Sequence, residues 1–413
     1  MVTTPSRRGF LSVAALGAAA SLVGVPRAAA APAPARLRLS LPAPTGPHPV
    51  GTVTARLVDR GRRDPWGVAR AYRELMVSVR YPARDVRGHR RAPQMTPGAA
   101  AAYDRFNGLG EDLPPGRVDW AATRSHAYTG APATGTCLPV LLYSPGAGDP
   151  RTLGTTLCDE LASRGYAVVM IDHTYDAGAV EFPGGRVERT VLLDEFARAR
   201  KAGPEQVVAF LKKVADVRVA DTRFVLDRLA HLPAGLGRRL DLDAIGMFGQ
   251  SAGGFAAAQT MHDDRRVKAA LNMDGVMGYT QRDDDPSNPS TVATDGVDRP
   301  LLLMGMDGDT HHTVASWGQA WEHSTGWHRD LTLAGAAHAS FTDLQSQVPQ
   351  IVRGLGLDGS VAAKSVGAID PVRSVAAQKA YVSAFFDRWL RGGDPAGLLD
   401  GASARWPEVR FVR

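Results

Sequence analysis

Apolar runs of strand length alternate with amphipathic stretches along most of this chain. Several of the later runs are continuously apolar, which indicates strands buried on both faces, as in a parallel sheet covered by helices. The predicted strands are 51–59, 74–82, 138–145, 166–172, 244–249, 267–274, 299–306 and 329–335. Helical patterns fall between them, at 152–165, 205–232, directly after residue 251 and at 375–393. This alternation predicts one doubly wound α/β domain.

Two polar, irregular segments interrupt the alternation. The first, 83–136, is rich in Pro and Gly and separates the second predicted strand from the third; the other, 174–204, follows the fourth. Long irregular segments in compact domains often form lids or the walls of binding sites. Whether 83–136 forms a lid, a membrane-contacting surface or a solvated excursion stays open. We expect a Pro/Ala-rich linker at 31–48 and the folded domain at 49–413.

The first thirty residues have the parts of an export signal. Arg7 and Arg8 precede a short apolar run, which Pro26, Arg27 and an alanine tract follow. The apolar run is too short to span a bilayer comfortably, so residues 1–30 are predicted to be a cleaved signal peptide rather than an anchor. The paired arginines resemble the bacterial twin-arginine signal. We therefore expect a secreted protein that meets the twin-arginine export machinery.

The basic excess changes this picture little. The formal charge is +6, but the basic residues are scattered along the chain without a clustered tract. A nucleic-acid partner is therefore not expected, because such partners require a basic patch or stripe. The two cysteines, Cys137 and Cys158, lie before a predicted strand and within the following helix, which leaves their pairing open.

A serine between glycines follows the fifth predicted strand. Residues 246–254 read GMFGQSAGG, which contains the pattern G-x-S-x-G around Ser251. This pattern indicates a nucleophile only where a buried strand turns sharply into a helix and exposes the serine. An apolar strand precedes Ser251 and small helix-compatible residues follow it, so the context favours a nucleophile over a small residue in a turn.

A nucleophilic serine needs a base, and the usual order in such a fold places the histidine late in the chain. His338 lies in AGAAHASF, a loop of small residues after the last predicted strand, and is the candidate base; the alternative is a histidine in a surface loop. A second group of candidate ligands, His311 and His312 near Asp307 and Asp309, has the residue types of a metal site. Adjacent residues of an extended chain point to different sides, so no metal site is predicted.

The acid that orients the base has two candidate positions. Asp274 ends the sixth predicted strand, whereas Asp307 and Asp309 follow the seventh. Both strand ends can face the histidine loop. Aspartates at strand ends also serve as turn or helix-cap residues, which is the alternative role for whichever is not the acid.

The tetrahedral intermediate of such a reaction needs hydrogen-bond donors for its oxyanion. The backbone N–H of Ala252 is one candidate, and a second is expected in the loop SPGAGDPR after the third predicted strand. Gly146 and Gly148 allow the main chain to bend so that the N–H of Ala147 points toward the substrate.

Eight blocks of this sequence carry a resemblance: TGPHPVGTVTARLVD, RELMVSVRYPA, LPVLLYSPGAG, LASRGYAVVMIDH, VRVADTRFVLDRL, GQSAGG, NMDGVM and GAAHASFTD. Together they resemble the secreted, lipoprotein-type platelet-activating factor acetylhydrolases and their bacterial relatives. The resemblance implies an α/β-hydrolase fold, with a mostly parallel eight-stranded sheet, helices on both faces and an insertion between the second and third strands. It also implies Ser251 as nucleophile, His338 as base and Asp274 as acid.

The chain departs from the family pattern at two positions near the expected site. Family members usually have His-Gly in the oxyanion loop and a histidine before the nucleophile, whereas this chain has Pro145-Gly146 and Gln250. The expected oxyanion donors are backbone groups, so the mechanism does not depend on these side chains. The departures instead leave the shape of the substrate open.

The resemblance implies a serine esterase that needs no cofactor and cleaves short-chain carboxylic esters, including the sn-2 acetyl group of phospholipids. The expected partners are a small-molecule or lipid ester and, peripherally, lipid surfaces. One alternative is a broader lipase or a cutinase-like polyester hydrolase. An alternative of another class is a non-catalytic binding protein on a hydrolase scaffold.

Overall fold

A computed structural model describes residues 35–68, 70–105, 109–393 and 397–413. At its centre lies a sheet of eleven strands in the order β13-β12-β11-β10-β9-β5-β6-β2-β1-β4-β3, and β7 and β8 form a separate hairpin. The strands are β1 Val50–Asp59, β2 Arg73–Pro82, β3 Arg91–Pro93, β4 Arg124–Thr129, β5 Leu138–Ser144, β6 Ala167–Asp172, β7 Ala179–Glu181, β8 Val187–Arg189, β9 Leu240–Gln250, β10 Val267–Met273, β11 Leu301–Gly305, β12 His328–Leu333 and β13 Val409–Phe411.

The middle of the sheet is parallel. Six neighbouring strands, β6-β5-β9-β10-β11-β12, pair in parallel, and β2 joins β6 in the antiparallel sense. Every residue of β5 and β6 is buried, as the continuous apolar runs predicted. Each of the eight predicted strands is present. The predicted count of eight is nevertheless wrong, because β3, β4 and β13 extend the sheet at its edges.

Ten α-helices surround the sheet in the described part of the chain. Pro204 and Pro371 each occupy the first position of a long helix, where the missing N–H costs nothing. The helices are α1 Pro97–Tyr103, α2 Thr155–Ser163, α3 Leu192–Ala202, α4 Pro204–Arg228, α5 Ala252–Asp263, α6 Thr291–Asp295, α7 Ala315–His323, α8 Leu344–Leu355, α9 Ser360–Val366 and α10 Pro371–Arg391.

Helices cover both faces of the sheet. On one face α4, α5 and α7 contribute Val225, Met261 and Trp317 to the larger hydrophobic core. On the other face α2 and α10 contribute Leu161 and Phe385 to a second core. The sheet is therefore buried on both sides, and its loops are the parts left to build a site.

The segments around this core are packed rather than extended. Residues 83–136 contain β3, α1 and β4, and their Trp120 shares a hydrophobic cluster with α8 and α9. Within the predicted linker, Leu39 and Leu41 are buried.

Cys137 is exposed, Cys158 is buried, and both are free thiols. Among the described residues, no helix is long and apolar enough to cross a bilayer.

Candidate active site

Ser251 is the single residue between strand β9 and helix α5. Its φ and ψ are 56° and −126°, a conformation that residues other than glycine rarely adopt. The main chain is held on both sides, because the Ser251 N–H donates to Met273 O at 2.8 Å and its carbonyl accepts from Phe255 N–H at 3.1 Å. The serine side chain is thereby presented to a cavity at the carboxyl edge of the sheet.

The two glycines of the G-x-S-x-G pattern have a packing reason. A Cβ atom at Gly253 would overlap the carbonyl oxygen of Ser144 at the end of β5, and one at Gly249 would overlap both Ser144 and Gly253. The turn therefore brings α5 against β5 at a distance that only glycine permits. This close crossing fixes the position of Ser251 relative to the loop that follows β5.

His338 and Asp274 meet at the same edge of the sheet. His338 begins a short 3-10 turn after β12, and its Nδ1 lies 2.6 Å from Oδ2 of Asp274. The Asp274 side chain is fully buried, and its second oxygen accepts the Met306 N–H at 3.0 Å. A buried carboxylate held in this way fixes both the ring orientation and the tautomer of the histidine, with the proton on Nδ1.

The other two candidate acids occupy the turn after β11. Asp307 is half-exposed and lies 3.9 Å from Nη1 of Arg410. The N–H of Asp309 donates to Met306 O, and its carbonyl accepts from the Thr332 hydroxyl. Of the three candidates, the structure brings Asp274 to His338.

The other ring nitrogen of His338 contacts a residue that sequence reasoning treated only as a departure from a family pattern. Nε2 of His338 lies 3.0 Å from Nε2 of Gln250, which directly precedes Ser251. Because Nδ1 carries the proton, Nε2 accepts this hydrogen bond from the Gln250 amide. Gln250 is 2% exposed, and its Oε1 atom is buried without a hydrogen-bond partner among the described residues.

The loop after β5, residues 145–149, is termed the oxyanion loop below. Gly148 has a φ of 80° and donates its N–H to Oδ1 of Asp176 at 3.1 Å, and Asp149 N–H bonds Gly146 O at 3.2 Å. Across the described ranges the Ala147 N–H has no acceptor. The Ala252 N–H belongs to the first residue of α5 and lacks an intrahelical partner. Both predicted oxyanion donors are thus available.

Asp149 is a second residue whose contribution sequence reasoning missed, although it lies within the quoted loop motif. Asp149 lines the same cavity as Ser251, and a Cβ atom built on Gly146 would lie 2.8 Å from Asp149 Oδ2 and 3.5 Å from Ser251 Cβ. Burial raises the pKa of Asp149 to about 6, against the opposing charges of His338 and Arg218. Asp149 therefore places a titratable carboxyl in the cavity that also holds the serine and the histidine.

The cavity in front of Ser251 has a volume of about 350 Å³, a typical size for a small-molecule site. One wall is apolar, and polar groups from the loop after β10 and from the turn before α8 line the rest. The apolar wall consists of Leu211, Val214, Ala215, Phe255 and Val276. No described residue of the irregular segments 83–136 and 174–204 lines this cavity.

His311 and His312 lie away from this cavity. Nδ1 of His311 is 2.8 Å from Oδ2 of Asp330, and its ring stacks on Trp321 with centroids 4.0 Å apart. His312 Nε2 lies 2.8 Å from the carbonyl oxygen of Arg413. Both histidines thus have structural contacts near β12 and the end of the chain.

Comparison with known proteins connects this geometry to a group of esterases. A sequence model for "Platelet-activating factor acetylhydrolase, isoform II" matches residues 118–182. A "Probable 1-alkyl-2-acetylglycerophosphocholine esterase" of Arthroderma benhamiae is 30% identical over 286 residues, which cover 67% of this chain and 66% of that protein. The "Platelet-activating factor acetylhydrolase" of Bos taurus is 27% identical over 169 residues, covering 35% of this chain and 36% of the bovine one.

A solved structure is similar over almost the whole chain. The ferulic acid esterase from Streptomyces cinnamoneus is 37% identical, with a TM-score of 0.73, and the match covers 91% of this chain and 99% of that one. The protein is a carboxylic ester hydrolase with an α/β-hydrolase fold. Within that class, the chain belongs to the platelet-activating factor acetylhydrolase family.

Proposed function

We propose that the chain cleaves short-chain carboxylic esters through an acyl intermediate on Ser251, with His338 as base and Asp274 as the acid that orients it. The observation that carries this proposal is the 2.6 Å contact between Asp274 and His338 in the cavity that holds Ser251. Nδ1 keeps its proton against Asp274, which leaves Nε2 as the basic nitrogen. Before reaction, the hydrogen bond from the Gln250 amide to Nε2 of His338 must break, so that Nε2 can accept a hydrogen bond from the Ser251 hydroxyl.

The reaction then follows from the groups around the serine. His338 accepts the hydroxyl proton as the serine oxygen attacks the ester carbonyl, and the N–H groups of Ala147 and Ala252 stabilise the oxyanion. The imidazolium protonates the departing alcohol when the tetrahedral intermediate collapses. Water, deprotonated by the same nitrogen, hydrolyses the acyl enzyme and restores Ser251.

The substrate proposed first is an ester with a short acyl group, including the sn-2 acetyl group of a phospholipid. The names of the fungal and bovine relatives support this choice. A second candidate is an ester of a phenolic acid such as ferulic acid. It is favoured by the likeness to the Streptomyces esterase over 99% of that chain and by the apolar wall that includes Phe255.

The test of the nucleophile uses a fluorophosphonate probe. The wild type is expected to be labelled at Ser251, and Ser251→Ala to lose both labelling and esterase activity, because loss of a triad nucleophile typically costs about 10⁶ in turnover. Ser365→Ala is the matched control, since Ser365 lines the same cavity. Full activity of Ser251→Ala would contradict the mechanism, and an inactive wild type would favour a binding protein on a hydrolase scaffold.

The substrate is tested by rates on p-nitrophenyl esters from C2 to C12, on an acetylated phospholipid and on methyl ferulate. Preference for C2 esters and the phospholipid supports the first candidate, and preference for methyl ferulate supports the second. A rate that rises toward C12 would contradict both and favour a lipase or a cutinase-like polyester hydrolase.

We further propose that the protein is secreted by the twin-arginine route. The support is Arg7-Arg8 ahead of a short apolar run, in residues that lie outside the described part of the chain. The exported esterase would then bind its ester substrate outside the cytoplasm, where it could also contact lipid surfaces peripherally.

A further inference from the structure

Arg218 lies beneath the oxyanion loop. It belongs to helix α4, and its side chain is 1% exposed. Its Nη1 donates to the carbonyl oxygen of Pro145 at 2.5 Å, and its Nη2 donates to the carbonyl oxygen of Gly146 at 2.9 Å. A buried guanidinium thus binds two consecutive carbonyl groups of the loop that carries Ala147.

The charge of Arg218 is balanced by Asp176, which is fully buried in the loop after β6. Nε of Arg218 donates to Oδ2 at 2.7 Å and Nη2 donates to Oδ1 at 2.6 Å, a bidentate pair. The same Oδ1 accepts the Gly148 N–H at 3.1 Å. Arg218 and Asp176 therefore hold the loop on both sides of Ala147.

The geometry of one peptide bond connects this contact to the chemistry. The carbonyl of Gly146 and the N–H of Ala147 belong to the same planar trans peptide, and they point in opposite directions. Because Arg218 holds the carbonyl, the N–H must point to the opposite side of the peptide, and Ala147 itself lines the cavity that holds Ser251. Gly146 and Gly148 flank Ala147, and glycine imposes little conformational restriction of its own.

We propose that Arg218 is a positioning residue of the oxyanion hole, which fixes the Gly146–Ala147 peptide so that the Ala147 N–H faces the ester carbonyl at Ser251. The inference rests on the proposed role of Ser251. Asp176 assists by fixing the guanidinium and the next N–H of the loop. Arg218 acts through Ala147 without touching the substrate carbonyl, so its loss affects the charged transition state more than substrate binding.

The test is Arg218→Lys, which keeps a positive charge but cannot reproduce the planar fork that holds Asp176 and two carbonyls together. Arg80→Lys is the matched control, because Arg80 is also buried and lies 3.3 Å from an aspartate, Asp159, outside the site. For Arg218→Lys we expect kcat to fall by about 10²-fold, the usual cost of one oxyanion-hole donor, with KM nearly unchanged. Phenylboronic acid, which forms a tetrahedral adduct with serine, should bind more weakly by a similar factor.

The control separates positioning from general destabilisation. Arg80→Lys should lower the melting temperature comparably while leaving kcat and boronate affinity at the wild-type level. A folded Arg218→Lys enzyme with wild-type kcat and boronate affinity would overturn the proposal. A rise in KM with unchanged kcat would overturn it too.

Two further measurements keep the outcome decisive. If Arg218→Lys does not fold, Asp176→Asn is used with the same assays; it keeps an oxygen for Gly148 N–H, removes the counter-charge, and should lower kcat with KM unchanged. Wild-type kcat in Asp176→Asn would then overturn the inference. Fluorophosphonate labelling of the wild type at Ser251 is measured in parallel: if it fails, the proposed function fails, whereas labelling together with unaffected variants rejects Arg218 alone.

Discussion

The side-chain nitrogen of Gln250 lies 3.0 Å from Nε2 of His338, the ring nitrogen that accepts the Ser251 proton in the proposed mechanism. Since the other ring nitrogen is engaged by Asp274 at 2.6 Å, the imidazole is hydrogen-bonded at both nitrogens. The amide and the serine hydroxyl therefore compete for one lone pair. Gln250 holds the imidazole in place but must release Nε2 before the proposed acylation step.

This competition makes Gln250→Met informative, because methionine fills similar space without a hydrogen-bond donor. A net hydrogen bond contributes about 1 kcal/mol, so its removal should speed fluorophosphonate labelling of Ser251 up to about fivefold. Gln281→Met, on the cavity wall, is the control and should leave the rate unchanged. Slower labelling of Gln250→Met would mean that the amide is needed to position the ring.

The identity of the acid is tested by Asp274→Asn. An amide in place of this carboxylate stabilises the wrong tautomer of His338, so turnover should fall by up to about 10⁴-fold while the fold is retained. Steady-state kinetics and circular dichroism measure the two effects separately.

Asp307→Asn and Asp309→Asn are the matched controls, each expected to cost at most a few-fold in turnover. Both residues follow β11, the position where the general fold would place the acid. Near-normal turnover in Asp274→Asn beside an inactive Asp307→Asn enzyme would reverse the assignment.

The pH dependence should report on Asp149. Because burial raises its pKa to about 6, Asp149 is neutral in acid and negatively charged above that pH. A negative charge near His338 favours the imidazolium form, which cannot act as a base. Asp149→Asn removes this charge, whereas Arg218 and Asp176, whose charges also act on the Asp149 carboxyl, are unchanged. Asp149→Asn should therefore shift the acidic limb of the kcat/KM profile to lower pH, by about 0.5 unit or more.

Asp283→Asn removes another acidic side chain of the same cavity and should shift the profile less. Equal shifts in both variants would show that Asp149 has no special relation to the base.

How much of this site the sequence predicts depends on whether a residue acts alone or through its neighbours. Ser251 and His338 could be assigned to one candidate site from the sequence because a strand-turn-helix motif and a late loop histidine are local patterns, and both line the same cavity. Arg218 was not, because a charged residue in a helical pattern usually faces solvent, and its burial depends on two distant loops. A usable signal existed: Arg218 continues an apolar stripe of α4.

The same reasoning applies to the sheet. Strands buried on both faces, such as β5 and β6, were predictable from continuous apolar runs. β3, β4 and β13 have three to six residues, with polar or charged positions, and lie near the sheet edges. Such strands form by pairing with an existing edge, so their own sequence carries little signal.

Export is testable independently of catalysis. Replacing Arg7 and Arg8 together with lysine should leave the precursor in the cytoplasm, because the export receptor recognises the arginine pair. Cell fractionation with an antibody against the protein measures this distribution, and Arg27→Lys serves as the control. Unchanged secretion of the double variant would favour the general secretory route.

One stripe of helix α4 serves two purposes. Leu211, Val214, Ala215 and Arg218 are spaced i, i+3, i+4 and i+7, so they share one helix face, and all four line the cavity. Enlarging one of the three apolar residues would therefore press on the helix that also carries the guanidinium under the oxyanion loop. Substitutions in this wall that change substrate selectivity would therefore also lower turnover. Val276 lines the same cavity but lies on the loop after β10, so its substitution does not press on α4. It is therefore the better position at which to change the substrate range without lowering turnover.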